Sequence, residues 1–450
     1  MKKVKENTKQ TKITKQTKNF FTFRLFRYFR LFRIFSWIFI RGVSINQSRK
    51  TAITVSLTFV ALLLLFPQTG STHEPITTKV MFNKEVIRIL QKNCLGCHSP
   101  GKIKADIPLT TYEEARPWAK AIKEEVLEKR MMPYQAVKGY GSFQHDYILP
   151  QRDVELLVSW IEGGAPRGEE KDYPKQSIEL LIKGDKWPLA QPDLVLQPVI
   201  EAQIPVEGDD EIRCFALNPG LTEDRWIRAV DFQPGNGSTV YSASYFITQN
   251  QKRIKTDKYG CAVAGSEASF ETLGHWVPGQ LANPLPDGTA MLLPPDSRIW
   301  LKVRYHNNGA STIDPTNRLG LYFAKASNNK TVHNVIVKLT EAKVTSNTDR
   351  QRIKVTYPVT ESTEAVSIRP RLFPSLKSIE AVAYRPDGTI EVLIWAKNYR
   401  FDWQPAYYFK KPVSLPKGTR IEITAYPNDS ENGSDLNSPV LCEIGLAKKF

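Results

Sequence analysis

The segment Asn93–His98 constrains this chain more than any other, because it contains the pattern Cys-x-x-Cys-His. Two thiols at this spacing can each bond one vinyl group of a single haem, and the histidine that follows can ligate the iron. Apolar residues at 82, 86, 89 and 90 precede the motif with helical spacing, which places it at the end of a helix. The sequence therefore predicts a haem c held by Cys94, Cys97 and His98.

Two other kinds of site use a similar pair of cysteines. A thioredoxin-type redox pair requires a βαβ pattern around it, and a zinc ribbon requires a second Cys-x-x-Cys. The sequence contains neither. The haem interpretation is therefore favoured over both.

The net charge of +16 is concentrated at the start of the chain. Residues 1–50 contain fourteen Lys and Arg but a single acid, Glu6, so the rest of the chain is close to neutral. A nearly neutral body lacks the electrostatic footprint of a nucleic-acid-binding protein. We expect no nucleic-acid partner.

An apolar run without charged residues follows this basic leader over residues 51–67. It has the length of a signal-peptide core or a short membrane anchor. Lys and Arg ahead of it favour a cytoplasmic start, so the remainder is expected in the periplasm or cell envelope, cleaved or anchored in the inner membrane. The leader itself is predicted to be disordered or to lie on a membrane surface, and a translation start further downstream is the alternative.

Residues 79–165 are predicted to form a small all-α cytochrome c domain. Helices are expected at 82–90, 112–129 and 152–162, and Gly163 ends the last of them. A first and a last helix packed around a haem is the arrangement of small cytochromes c.

The sixth ligand of the iron is expected from the loop after the second helix. A thioether is the usual partner of histidine in electron-transfer cytochromes. Met131 is the favoured ligand, while Met132 and His145 are alternatives. In the plainer interpretation, either methionine only packs against the porphyrin.

After a linker over 166–190 the sequence becomes rich in short β-prone runs separated by Gly, Pro, Asn and Asp. Short strands separated by turn residues predict β-sandwiches, one over 191–330 and one over 331–450. The predicted strands are Trp226–Asp231, Thr239–Ile247, Arg298–Tyr305, Leu319–Ala324, Val332–Leu339, Ile353–Tyr357, Ile379–Tyr384, Ile390–Ile394 and Arg420–Thr424. The predicted fold class is multidomain, with an all-α cytochrome c domain followed by two all-β jelly-roll sandwich domains.

Six stretches of the β-rich region match a known family. They are Arg213–Phe215, Arg228–Asn236, Trp276–Gly279, Tyr384–Thr389, Phe401–Gln404 and Leu415–Thr419. Here the chain resembles the copper type II, ascorbate-dependent monooxygenases, such as peptidylglycine and dopamine β-monooxygenase. Tyr112–Ala119 and Gly163–Pro166 resemble the small cytochrome often fused to such domains in bacterial envelope proteins.

The resemblance implies two jelly rolls, each with one copper, and substrate hydroxylation in the cleft between them. The family's histidine positions are occupied here by Tyr241, Ser242, Arg304 and Arg371–Phe373. Five histidines are required, but only His275, His306 and His333 lie in this region. Copper is therefore not expected, although His306 is close enough to a lost position for a rebuilt site to be the alternative.

Arg304 and Arg371 repel a metal cation but are suited to bind a carboxylate or another anion. Structural salt bridges are the favoured explanation of both residues. The resemblance also implies a disulfide between Cys214 and Cys261, and it leaves Cys442 without an assigned partner.

These observations predict an exported c-type cytochrome that transfers electrons and carries a copper-free, monooxygenase-like module for binding or docking. Its expected partners are a redox protein and, through the N-terminal segment, the membrane. One alternative is a haem-fed copper monooxygenase with non-standard ligands. Another is a haem sensor with an open sixth position on the iron.

Overall fold

The computed structural model describes most of the chain after residue 77. The described ranges are 78–131, 136–145, 148–183, 187–204, 209–248, 254–263, 270–307, 312–314, 316–324, 330–338, 343–347, 350–371, 376–397, 403–427 and 440–449. The predicted basic leader and the apolar segment at 51–67 lie outside them. Within these ranges, no helix has the length and apolar character needed to cross a bilayer.

Short helices occupy the first part of the described chain. They are α1 (Ile87–Asn93), which continues a π-helical turn at Phe82–Val86, α2 (Tyr112–Ala115), α3 (Ala119–Leu127), α4 (Gln151–Glu162) and α5 (Lys175–Lys183). Two single turns of 3₁₀ helix lie at Arg116–Trp118 and Glu170–Asp172. Local sequence explains one boundary well, because Thr111 and Glu114 form a capping box that starts α2.

An apolar cluster joins these helices. Phe82 and Trp160 are fully buried, and their ring centroids lie 5.8 Å apart. The indole N–H of Trp160 donates to the Pro166 carbonyl at 3.0 Å, which satisfies its buried donor. This contact brings α4 against the start of the described chain.

Strands follow from residue 194 onward, and short turns connect many of them. They are β1 (Leu194–Leu196), β2 (Ala202–Ile204), β3 (Glu211–Leu217), β4 (Arg225–Gln233), β5 (Val240–Thr248), β6 (Glu271–Trp276), β7 (Thr289–Leu293), β8 (Arg298–Tyr305), β9 (Thr312–Asp314), β10 (Arg318–Phe323), β11 (Lys330–Lys338), β12 (Lys343–Asn347), β13 (Arg350–Pro358), β14 (Thr363–Pro370), β15 (Leu376–Tyr384), β16 (Ile390–Lys397), β17 (Tyr407–Leu415), β18 (Arg420–Pro427) and β19 (Val440–Lys449). Each predicted strand overlaps one of these.

One long sheet organises the β region. Its eight strands run in the order β1-β10-β4-β7-β11-β19-β14-β17. A four-stranded sheet, β3-β8-β5-β6, and a five-stranded sheet, β12-β13-β18-β15-β16, accompany it, together with the pair β2-β9. One apolar core lies between the four-stranded sheet and the first half of the long sheet, and another lies between the five-stranded sheet and its second half. Two sandwiches therefore share a continuous sheet.

The prediction of an all-α cytochrome c domain followed by two all-β jelly-roll domains is wrong as a fold class. Strands make up 43% of the described residues and helices only 16%, and the β-sandwich parts alone agree with the prediction. The helices belong to the same compact unit as the sheets, which extends from Pro75 to Phe450. Helical periodicity correctly indicates single helices, but it does not show that they belong to one unit with the sheets.

Part of the predicted all-α region is in fact extended and pairs with strands. The amide of Val137 donates to the Trp395 carbonyl at 2.7 Å, and the amide of Gln144 donates to the Tyr408 carbonyl at 2.7 Å. The Phe143 ring packs between those of Tyr407 and Phe409, with centroids 5.1 and 5.3 Å away. Segment 136–145 is therefore built into the second sandwich.

This arrangement predicts that Phe143→Ala destabilises the whole unit. Loss of a largely buried ring from the β core is expected to lower the free energy of unfolding by about 2–3 kcal/mol. Urea denaturation followed by circular dichroism measures it. The matched control is Leu127→Ala on α3, because Leu127 is 50% exposed. Equal stability of the two variants would contradict the pairing.

Candidate functional site

The Cys-x-x-Cys-His motif lies in the turn that ends α1. Cys94 caps the helix with its amide donating to the Leu90 carbonyl at 2.7 Å, and the amides of Cys97 and His98 both donate to the Cys94 carbonyl. Leu95 is fully buried and anchors the turn in the helical core. The local fold thus brings the two thiols and the imidazole onto one tight turn.

His98 is held in a defined orientation. It is 7% exposed, and its Nδ1–H donates to the Ile107 carbonyl at 2.9 Å. Because a carbonyl can only accept, this bond fixes the tautomer and leaves the lone pair on Nε2. Burial lowers the pKa of His98 below its usual range, which keeps the imidazole neutral.

The two thiols of the motif are free and half-buried. Burial raises the pKa of Cys94 to about 12, with a smaller contribution from neighbouring Cys97. Burial likewise raises the pKa of Cys97 to about 11. Burial therefore favours the neutral thiol form of both side chains.

A turn from the β region lies directly on the motif. A side chain at Gly279 would place its Cβ 3.4 Å from the Sγ of Cys97, and the Gly279 backbone has φ +79°. Trp403 fixes this turn from the second sandwich, with its indole N–H donating to the Pro278 carbonyl at 3.0 Å. The backbone conformation favours glycine here, because its φ lies in the left-handed region.

The candidate sixth ligands lie on separate elements. Met131 follows α3, is 37% exposed, and its amide donates to the Glu125 carbonyl at 3.2 Å. His145 ends the extended segment, where its Nε2 lies 3.4 Å from the Ala282 carbonyl. Met132 lies outside the described residues.

A second feature is a cleft of about 410 Å³ between the four-stranded sheet and strands β11, β14 and β19 of the long sheet. Alternate residues of β8 supply one wall, because side chains two apart on a strand share a face. These are Trp300, Lys302 and Arg304, while Leu301 and Val303 point into the core. Arg369, Arg371 and Glu443 lie on the facing wall.

A buried polar cluster crosses this cleft. The Nε2–H of His275 on β6 donates to the Glu443 carboxylate on β19 at 2.5 Å, and the Ser244 hydroxyl donates to Nδ1 of His275 at 2.8 Å. Arg369 on β14 donates to the other Glu443 oxygen at 3.1 Å and to the Gln404 carbonyl at 3.0 Å. The cluster connects the four-stranded sheet to the long sheet.

The cluster shifts the pKa values of both His275 and Glu443. Burial, helped by the charge of Arg369, lowers the pKa of His275 to about 4. Burial alone raises the pKa of Glu443, but His275 and Arg369 outweigh it and lower that pKa well below its usual range. Glu443 is therefore an anion and His275 a neutral imidazole near pH 7.

Three of the positions that the resemblance assigns to copper ligands line this same cleft, whereas Leu372 and Phe373 lie outside the described residues. Ser242 and Arg304 are register partners on β5 and β8, and both line it, as does Arg371. Tyr241 packs under the Arg304 guanidinium at 5.4 Å. Arg304 also pairs with Asp210 at 2.6 Å. Within the described ranges, no three His, Cys, Asp or Glu side chains form a group that could hold a metal ion.

A disulfide closes one end of the four-stranded sheet. Cys214 on β3 and Cys261 are bonded, with their Cα atoms 4.8 Å apart. Cys442 is a free, buried thiol. Both half-cystines also line the cleft.

Sequence reasoning did not identify Lys302, Arg369, His275 or Glu443 as site residues. Alternation along β8 was a usable signal, because a lysine and an arginine occupy outward positions two apart. Nothing local in the sequence connects His275 with Glu443, which lie 168 residues apart. Their pairing depends on the order of strands in the sheets.

No protein-family model and no curated protein matches the chain. A solved structure of PNGF-II is 11% identical, covers 63% of this chain and 68% of its own, and has a TM-score of 0.24. Allantoicase is 9% identical over 51% of this chain and 76% of its own, with a TM-score of 0.16. The tandem CBM22 domains of Paenibacillus barcinonensis Xyn10C are 8% identical over 58% of this chain and 100% of their own, with a TM-score of 0.13. Similarity at this level shows neither a shared fold nor a shared function.

The buried cluster predicts a pH-dependent stability. Between pH 6.5 and about 4 the unfolded chain binds a proton at His275 that the folded chain does not, so stability falls as the pH is lowered through this window. The dependence due to His275 is on the order of 2–3 kcal/mol. We expect His275→Gln to remove this part of the slope, measured by urea denaturation at several pH values.

His333→Gln is the matched control, because His333 is an exposed histidine that contacts Glu271. It should keep the slope of the unsubstituted protein. An unchanged slope in His275→Gln would show that His275 is not held neutral.

Proposed function

We propose that this chain is a c-type haem protein that transfers single electrons, and that its β region is a copper-free module for binding or docking. The observation that supports it best is the state of His98. The imidazole lies in one turn with Cys94 and Cys97, and the Ile107 carbonyl holds Nδ1 so that Nε2 is the nitrogen available to iron.

The donor set fits covalent haem attachment. Each thiol would add across one vinyl group, forming a C–S bond while its hydrogen moves to the neighbouring carbon, with no net gain or loss of electrons. The second Cys-x-x-Cys of a zinc ribbon and the βαβ pattern of a redox dithiol are both missing from the sequence, which supports haem over either.

A haem supplies reversible one-electron exchange at its iron. In this chain His98 would be the proximal ligand and Met131 the favoured distal one. The turn containing Gly279 lies against the motif beside Cys97. No residue of the chain has to gain or lose a proton for such an exchange.

The partner of this function is a redox protein that supplies or accepts the electron. The basic leader and the apolar run at 51–67 support export to the periplasm or cell envelope, with the N-terminal segment at the inner membrane. Export agrees with the proposed haem, because c-type haem is attached covalently outside the bacterial cytoplasm.

The first test is the haem content of the full chain produced in a host with haem-attachment machinery and then offered copper. We expect one iron and one covalent haem per chain, which resists acid–acetone extraction and is read by its pyridine haemochrome spectrum. The double variant Cys94→Ala/Cys97→Ala should lose it completely, whereas the control Cys442→Ala should retain it. Absence of covalent haem in the unsubstituted chain would refute the proposal, and stoichiometric copper would refute the copper-free module.

A second test concerns the distal ligand. Met131→Ala should abolish the sulfur-to-iron charge-transfer absorption and lower the reduction potential, because a methionine ligand raises it. Met132→Ala should leave both unchanged. If Met132→Ala or His145→Ala has this effect instead, Met131 is not the ligand.

A further inference from the structure

The charges lining the cleft do not balance. Four cationic side chains line it, namely Lys302, Arg304, Arg369 and Arg371. Among the residues that the structure describes, Glu443 pairs with Arg369 and Arg371, and Asp210 pairs with Arg304. The imidazole of His275 adds no charge near pH 7. Counted over the described residues, the side chains of the cleft therefore have a surplus of positive charge.

Lys302 is the centre of this surplus. It lies in the middle of β8, with Cys214 of β3 and Ser244 of β5 as its register partners. Among the residues that the structure describes, it has no ion-pair partner. A partly buried ammonium in a cavity without a carboxylate is costly unless an anion reaches it.

The wall that carries Lys302 also presents an apolar surface. Phe246, Phe270 and Trp300 form a row of stacked rings, with centroids 6.2 and 5.7 Å apart. The indole Nε1 of Trp300 is buried, and it has no hydrogen-bond acceptor within the described part of the chain. This nitrogen lies behind the ring face, so the wall that Trp300 presents to the cleft is apolar.

We infer that this cleft binds a small organic anion with an apolar body. The anionic group would lie against Lys302, Arg304 and Arg371, where guanidinium groups can bind it through paired hydrogen bonds. The apolar body would lie on the ring row. The volume of about 410 Å³ is that of a small-molecule site. The inference is independent of the proposed haem.

Isothermal titration calorimetry on the full chain tests this with three probes. They are 4-phenylbutyrate, its neutral amide and inorganic phosphate. We expect 4-phenylbutyrate to bind at one site with a Kd on the order of 0.1–1 mM, and both other probes to bind at least tenfold more weakly. Equal binding of the amide would overturn the anion preference, and equal binding of phosphate would overturn the apolar body. No saturable binding of 4-phenylbutyrate would overturn the site.

Lys302→Gln is the decisive variant, because no described ion pair is broken by it. We expect its affinity for 4-phenylbutyrate to fall about tenfold, since a hydrogen bond to a charged group is lost. Lys377→Gln on β15, an exposed lysine of another sheet, should bind as the unsubstituted chain does. Thermal unfolding of both variants checks that they fold. An unchanged affinity in Lys302→Gln contradicts the inference.

The Cys94→Ala/Cys97→Ala variant separates this site from the proposed haem. It should bind 4-phenylbutyrate with unchanged affinity even though it carries no haem. If binding is lost in this variant while Lys302→Gln binds normally, the anion site lies at the haem rather than in the cleft.

Discussion

The β region depends most on the buried ion pair of Glu443 and Arg369. His275 extends this pair from the long sheet to the four-stranded sheet. Glu443 is 7% exposed, and its two oxygens accept from His275 and Arg369. Removing one partner of such a pair leaves a buried charge without compensation, at a cost of roughly 3–5 kcal/mol. The pair fixes which face of β6 meets β14 and β19, and so determines the shape of the cleft.

The two candidate sites are close along one short stretch of chain. His275 belongs to the buried cluster, Val277 lines the cleft, and Gly279 lies against Cys97. The side chain of Gln280 donates back to the His275 carbonyl at 3.3 Å, which stiffens this turn. A ligand in the cleft and a haem on the motif would therefore be separated by a single turn of the protein.

Much of the β region could be predicted from sequence, because strand formation follows local alternation and turn residues. The prediction for β8 matches Arg298–Tyr305 at both ends, and β5 and β10 differ by one residue at each end. The helices predicted at 112–129 and 152–162 are also present, although a 3₁₀ turn at Arg116–Trp118 divides the first. Strands β14 and β19 were not predicted, although together they carry Arg369 and Glu443. These two strands are stabilised by pairing with strands that are distant in the chain, which local sequence does not reveal.

The sequence by itself determined the contents of the motif: two thiols and an imidazole in one turn, since five consecutive residues need only a helix end to bring them together. It also determined the outward positions of Lys302 and Arg304, since period-two alternation is local. Only the tertiary structure decided that segment 136–145 joins the second sandwich, that two sandwiches share one sheet, and that Arg371 faces Arg304 across a cleft. These arrangements depend on strand order and on contacts between residues far apart in the chain, and local periodicity carries no information about either.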